Sequence, residues 1–235
     1  MLYAVFGVVF GIVGGMGLGG GTQNYLCYPM FPQADPASNT DRPFGGRNHM
    51  FKGGAIIGGA LNPAEDVDYS KITESVEYSW YDYPDGVDSL HPTEGITKLN
   101  AKKENAYSFV KAPRYKGQPM EVGPLARGLV NQYPGLMALI EAGVKPGAVA
   151  RHYCRAVESQ AIAEAGPEWI DRLTAMALEG TIVGMKDKDI PKSAEGFGVY
   201  DAPRGALGHW VNIKDQRTKN YQIVVPTTWN ASPRD

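Results

Sequence analysis

The clearest periodic signal in the chain lies between residues 121 and 180, where apolar positions recur at helical spacing and prolines punctuate them. Pro124, followed by Leu125, Leu129 and Val130, predicts a short helix ending near Tyr133. Pro134 opens a second helix through Leu136, Leu139 and Ile140, with Gly143 as its C-terminal cap. Pro146 opens the longest, with Val149, Tyr153, Ala156, Val157 and Gln160 on one face, and Gly166 is expected to end it. Pro167 then begins a further helix to Gly180, with Ile170, Leu173, Ala177 and Leu178 facing inward.

Beyond a polar stretch the period becomes two. Leu207, His209, Val211 and Ile213 alternate against Gly208, Trp210 and Asn212; Tyr221, Ile223 and Val225 repeat the pattern. With Lys214 to Lys219 as a polar turn, these runs predict a β-hairpin. Residues 19–66 mix glycines with short apolar runs such as Ala55-Ile56-Ile57, which suits short strands. Residues 67–119 are rich in Tyr, Asp and Pro and read as a long ordered loop region with about two strands. The fold class expected is α+β, a helical core segment with peripheral β-hairpins. The domain division is an apolar N-terminal stretch, 1–16, followed by a single unit, 17–235.

The hairpin has a consequence for chemistry. Arg204 is placed just before its first strand and Thr227 just after its second, so both lie at the same end. Each follows a proline, Pro203 and Pro226, which fixes the local backbone direction. Gly205 leaves room for close approach to the backbone. A guanidinium and a hydroxyl on stiff strand ends suit a small anionic ligand.

Composition narrows the alternatives. Lys and Arg number 23 against 25 Asp and Glu, a net charge of −2 with no extended basic run, which argues against a nucleic-acid partner. The 29 glycines and 17 prolines imply many turns. Cys27 and Cys154 are the only cysteines; without a Cys-x-x-Cys motif they read as buried free thiols rather than a disulfide. The four His have no metal-ligand spacing, and His209 reads as a hydrogen-bonded core residue. Gly17 to Thr22 superficially resembles a dinucleotide fingerprint but lacks a following helix, so it reads as a tight turn. Lys111, Arg114 and Glu121 read as a solvated or ion-paired surface group. Arg151, His152 and Arg155 read as a polar face or as partners of carboxylates. The uncharged residues 1–18 barely reach the length of a membrane span, and their glycines weaken a helix.

Gly19-Gly20-Gly21-Thr22-Gln23-Asn24-Tyr25-Leu26, Ser79-Trp80-Tyr81, Leu90-His91-Pro92, the Lys111–Leu125 stretch, Ala202–Trp210 and Tyr221–Asp235 together resemble the large subunit of nickel–iron hydrogenases. The resemblance covers the chain from about residue 17 onward. It implies H2 oxidation at a Ni–Fe centre whose iron carries cyanide and carbon monoxide. It further implies that Arg204 and Thr227 donate hydrogen bonds toward the cyanides, that Ala202, Pro203 and Pro226 belong to that pocket, and that Arg204 acts as a base near the open metal position. The Ile223 backbone carbonyl would bind a structural magnesium, with Lys111 and Gln222 supporting that region. The implied partners are an iron–sulfur small subunit, H2 and a membrane cytochrome or other electron acceptor. The implied location is peripheral, on the periplasmic side of the bacterial cytoplasmic membrane, after export with the small subunit.

The departures are specific. The family binds its metals through two Cys-x-x-Cys pairs, and neither occurs here. The N-terminal acidic residue and C-terminal His of the family are also lacking. The expectation is an internal fragment that does not itself bind nickel. Two alternatives stand beside it. One is a metal-free relative such as the quinone-site subunit of complex I, which usually carries Lys where Arg204 stands. The other is a non-enzymatic interaction domain anchored by residues 1–18.

Overall fold

The computed structural model describes residues 11–32, 49–181 and 189–234. The first ten residues of the apolar N-terminal stretch therefore lie outside the described part, and residues 11–16 are helical. No helix among the described residues is long and apolar enough to cross a membrane.

Short strands dominate the first half. They are β1 (Tyr25–Cys27), β2 (Met30–Pro32), β3 (His49–Phe51), β4 (Gly54–Ile56), β5 (Ile72–Ser75), β6 (Tyr81–Asp82), β7 (Ser89–Leu90), β8 (Lys98–Leu99), β9 (Ala112–Tyr115) and β10 (Glu121–Val122). The 67–119 region thus holds five strands rather than about two. In one sheet β1 lies between β10, parallel to it, and β4, antiparallel. In another β5 lies between β7 and β9. The pairs β2–β3 and β6–β8 complete this half. The glycine turn before β1 is tight, with Gly17 and Gly19 at positive φ and Gly20 donating to the Gly17 carbonyl at 3.0 Å.

The proline-initiated helices form where expected: α1 (Pro124–Val130) and α2 (Pro134–Glu141). The third differs. Instead of two helices broken at Gly166, one 31-residue helix, α3 (Ala148–Leu178), runs through Pro167. Pro167 has no N–H to give the Ala163 carbonyl, but Ala163 is exposed, so water can take that acceptor and the helix continues. Its inward face is also shifted. Ala150, Cys154 and Glu158 are buried, whereas Ala156 and Gln160 are exposed. Ile170, Leu173 and Leu178, expected to face inward, are 65%, 57% and 85% exposed.

The C-terminal sheet is a three-stranded meander, β11 (Ser193–Ala202), β12 (Gly205–Lys214) and β13 (Arg217–Val224), ending in the short helix α4 (Pro226–Asn230). The hairpin β12–β13 matches the alternation of the sequence, whereas the polar stretch before it forms a further strand, β11. The buried face is also the opposite one: Ala206, Gly208 and Trp210 point inward, while Tyr221 and Ile223 are exposed. A single indole over two small residues fills this face, since a Cβ on Gly208 would lie 2.4 Å from the Trp210 ring. His209 is accordingly a rim residue, its Nδ1 2.5 Å from the Tyr221 hydroxyl.

Among the described residues two apolar clusters form the core, and β1 is their shared wall. Tyr25 and Cys27 pack with Leu125, Leu129, Leu136 and Cys154. The alternate residues Leu26 and Tyr28 pack with Ile72, Tyr115, Met120, Trp210 and Trp229. Cys27 and Cys154 are free and buried. Burial pushes the Cys154 thiol up to about 12 and Cys27 well above its usual value, so both are unreactive thiols.

Candidate functional site

The glycine turn, the segment before α1, the exposed side of α3 and the ends of the C-terminal sheet meet around a cavity of about 720 Å³. Arg204 and Thr227 both line it, so these two side chains share one cavity. Arg204 directly precedes β12, the first strand of the expected hairpin, and it is the second residue of the two-residue loop that joins β11 to β12. Thr227 is in the first turn of α4. Neither Ala202, Pro203 nor Pro226 is on the cavity wall. Pro226 is buried at the start of α4, while the Ala202 and Pro203 carbonyls face the α1 side chain Arg127.

The opposite wall is tied together by backbone-directed side chains. Thr22 Oγ1 and Asn24 Nδ2 both donate to the Pro119 carbonyl, at 3.2 and 3.1 Å. Glu121, at the start of β10, accepts two hydrogen bonds from Arg151 of α3, 2.6 Å to Nε and 2.7 Å to Nη2. Arg151 also donates to the Gly19 carbonyl at 2.6 Å, which fixes the glycine turn against α3. Glu121 and Arg114 are buried, so neither is a solvated surface charge. Arg151 is a partner of a carboxylate, as one of the two sequence readings had it. Arg204, across the cavity, has no carboxylate or hydrogen-bond partner among the described residues, which leaves it an uncommitted donor in the cavity lining.

Lys111 and Gln222 also come together, away from the cavity. Lys111 Nζ donates to Gln222 Oε1 at 2.9 Å and forms a close ion pair with Glu74. Burial holds the Glu74 carboxyl above its usual range, with Lys111 pulling the other way. Its second oxygen, Oε1, has no hydrogen-bond partner among the described residues. Ile223, next to Gln222, lies on the outer strand β13 and is 42% exposed.

A nickel–iron centre requires soft thiolate donors. The two cysteines here are buried thiols inside the core and neither lines the cavity. Among the described residues no group of three or more His, Cys, Asp or Glu is placed to hold a metal ion. The residues present therefore do not fit the metal's ligand set. They fit the hydrogen-bonding surroundings of a small anionic group instead.

Sequence reasoning passed over Arg127, Glu158 and Asp201. Arg127 is buried on α1 and forms ion pairs with Glu158 of α3 and Asp201 of β11. One signal was available: a single charged residue within Pro-Leu-Ala-Arg-Gly-Leu-Val, an otherwise apolar helix, requires a buried partner.

A sequence model of the family described as nickel-dependent hydrogenase matches residues 12–235. The Hydrogenase-1 large chain of Citrobacter freundii is 36% identical over 89% of this chain and 40% of its own length. The uptake hydrogenase large subunit of Rhodobacter capsulatus is 37% identical over 94% of this chain and 42% of its own length. Among solved structures, the reduced, active form of the Ni-Fe-Se hydrogenase from Desulfomicrobium baculatum superposes with a TM-score of 0.72 at 34% identity, covering 97% of this chain and 47% of the other. The chain thus spans less than half the length of the relatives it matches, and neither alternative reading of the sequence is favoured. The shared cavity of Arg204 and Thr227, the glycine turn opposite them and these matches have one explanation: the chain belongs to the nickel-dependent hydrogenase family.

Proposed function

We propose that residues 17–235 form one structural unit of an uptake-type hydrogenase large subunit, and that this unit supplies the hydrogen-bonding side of a Ni–Fe site. The observation that carries the reading is the shared cavity of Arg204 and Thr227. A cyanide nitrogen is a small acceptor with negative charge, and it suits an uncommitted guanidinium beside a hydroxyl. Arg204, which has no carboxylate neighbour among the described residues, is also the group able to act as a base near an open metal position. The thiolates that hold nickel and iron belong to parts of the whole subunit outside these 235 residues.

The whole subunit oxidises H2 to two protons and two electrons, and the electrons leave through an iron–sulfur small subunit toward a membrane cytochrome or another acceptor. The name "uptake hydrogenase large subunit" carried by relatives supports this direction. In this reading, which rests on the family resemblance, the assembled enzyme lies peripherally on the periplasmic side of the membrane. The magnesium reading is supported by the unpartnered Glu74 Oε1 beside Lys111 and Gln222, one residue from Ile223. The donors here are too few to enclose the ion alone.

The test is to assemble the whole subunit with its small subunit and compare wild type with Arg204→Lys. Nickel content should be equal, H2-dependent dye reduction should fall, and the infrared stretching bands of iron-bound cyanide should move. Wild-type turnover with unmoved cyanide bands would falsify the role of Arg204.

A further inference from the structure

The turn that carries Arg204 is unfavourable by itself. Ala202 pairs with Gly205, so Pro203 and Arg204 form a two-residue hairpin loop. Such loops favour turns with positive φ at the first central residue, because those match the twist of the strands. Proline fixes φ near about −65°, which forbids that choice. The mismatch is taken up by Gly205, whose φ is 130°. Gly205 is also wedged against Gly123: a Cβ on it would lie 2.6 Å from the Gly123 nitrogen, and a Cβ on Gly123 would lie 2.8 Å from the Arg204 carbonyl oxygen.

One helical turn beyond Gly123, Arg127 holds the same loop from the other side. Its five N–H donors meet five acceptors. Nε and Nη2 reach the two oxygens of Glu158, each at 2.7 Å. Nη1 reaches the Asp201 carboxylate and the Ala202 carbonyl, the latter at 3.0 Å. Nη2 also reaches the Pro203 carbonyl at 3.1 Å. Asp201 is held in turn by the Tyr28 N–H at 3.1 Å, and Glu158 by the Tyr133 hydroxyl at 3.3 Å. Two of the five bonds therefore fall on the carbonyls of the two residues immediately before Arg204.

We infer that Arg127 is a positioning residue for Arg204: by binding the Ala202 and Pro203 carbonyls it holds an unfavourable turn in the one geometry that points Arg204 into the cavity. A lysine retains the charge but offers three donors from one atom, so it cannot serve Glu158, Asp201 and both carbonyls together. The meaning of this for turnover rests on the reading of Arg204 above. Its first test does not.

In the 235-residue chain, Arg127→Lys should raise trypsin cleavage at Arg204–Gly205 by about tenfold or more, the scale of losing charge-assisted hydrogen bonds. Cleavage at Arg217, at the far end of the same sheet, should stay unchanged, and the Arg204 and Gly205 amide resonances should shift. General loosening would raise both cleavages together, and that result, or no rise at Arg204, overturns the inference. If the variant does not fold, Glu158→Gln serves as the second: it weakens the anchor of the guanidinium and leaves both carbonyls in place. It should give the same selective cleavage to a smaller degree. Failure of both to fold would assign the network to stability alone and overturn the inference too. In the assembled enzyme, Arg127→Lys should lower kcat with KM for H2 unchanged. If Arg204→Lys has no effect there while the cleavage pattern appears, the catalytic reading fails and the positioning inference stands. If Arg204→Lys acts and the cleavage pattern is absent, the reverse holds.

Discussion

The side-chain amide of Asn230 closes two hydrogen bonds on the backbone of Val122, donating Nδ2 to its carbonyl and accepting its N–H at Oδ1, both at 3.0 Å. An amide can imitate a neighbouring strand in this way, and it docks α4 onto β10. Thr227 and the wall carrying Glu121 are thereby held as one piece.

Asn230→Asp removes the donor and leaves the Val122 carbonyl facing a carboxylate. The expected cost is about 1–3 kcal/mol, read from the urea midpoint at constant slope. Asn230→Ala should cost a similar amount. An unchanged midpoint in both would show that α4 docks through Trp229 alone.

Asp201 gives a pH dependence of defined sign. Burial pushes its carboxyl from the ordinary 3.8 up to about 6, with Arg127 pulling it back down. A carboxyl raised in the folded state favours the protonated form there. Its contribution to stability is therefore fully present below pH 3.8 and is lost as pH rises through about 6. Relative to Asp201→Asn, the wild-type chain should lose about 2–3 kcal/mol between those limits. Melting temperatures of both proteins across that window would check it, and parallel curves would refute the assignment.

The Gly123–Gly205 contact predicts non-additivity. Gly205→Ala places a methyl group against the Gly123 nitrogen at a φ of 130°, and should cost at least about 2 kcal/mol. Gly123→Ala acts on the same crossing from the other side, at a φ of 116°. The double variant should cost clearly less than the two single effects added. Simple additivity in chemical denaturation would mean that the two glycines answer to different neighbours.

Cys27 and Cys154, both buried, should resist iodoacetamide in the native chain and react fully in denaturant. Mass spectrometry of the alkylated chain reads this directly. Rapid native labelling of either would contradict the packing of β1 against α1 and α3.

How far the sequence could be read depended on which physical signal dominated each segment. Pro124 and Pro134 announced α1 and α2 because proline favours a first helical turn. The same rule misplaced a boundary at Pro167, where an exposed carbonyl tolerates the missing donor. The β12–β13 hairpin was visible in its period, but its buried face was reversed: Ala206 and Gly208 look like spacers until Trp210 is seen to fill the space above them. β11 was hidden because Glu195, Gly196 and Gly198 interrupt its alternation. At the site, Arg204 and Thr227 could be paired from topology alone. Arg127 could not be linked to them, since its partners Glu158 and Asp201 are distant in sequence and converge only through packing.

The double role of β1 bears on how this chain comes apart. Three residues cannot shed Tyr25 and Cys27 from one cluster while holding Leu26 in the other. The two clusters should melt as a single cooperative unit, and a probe on Trp210 should report the loss of Leu129 at the same denaturant concentration.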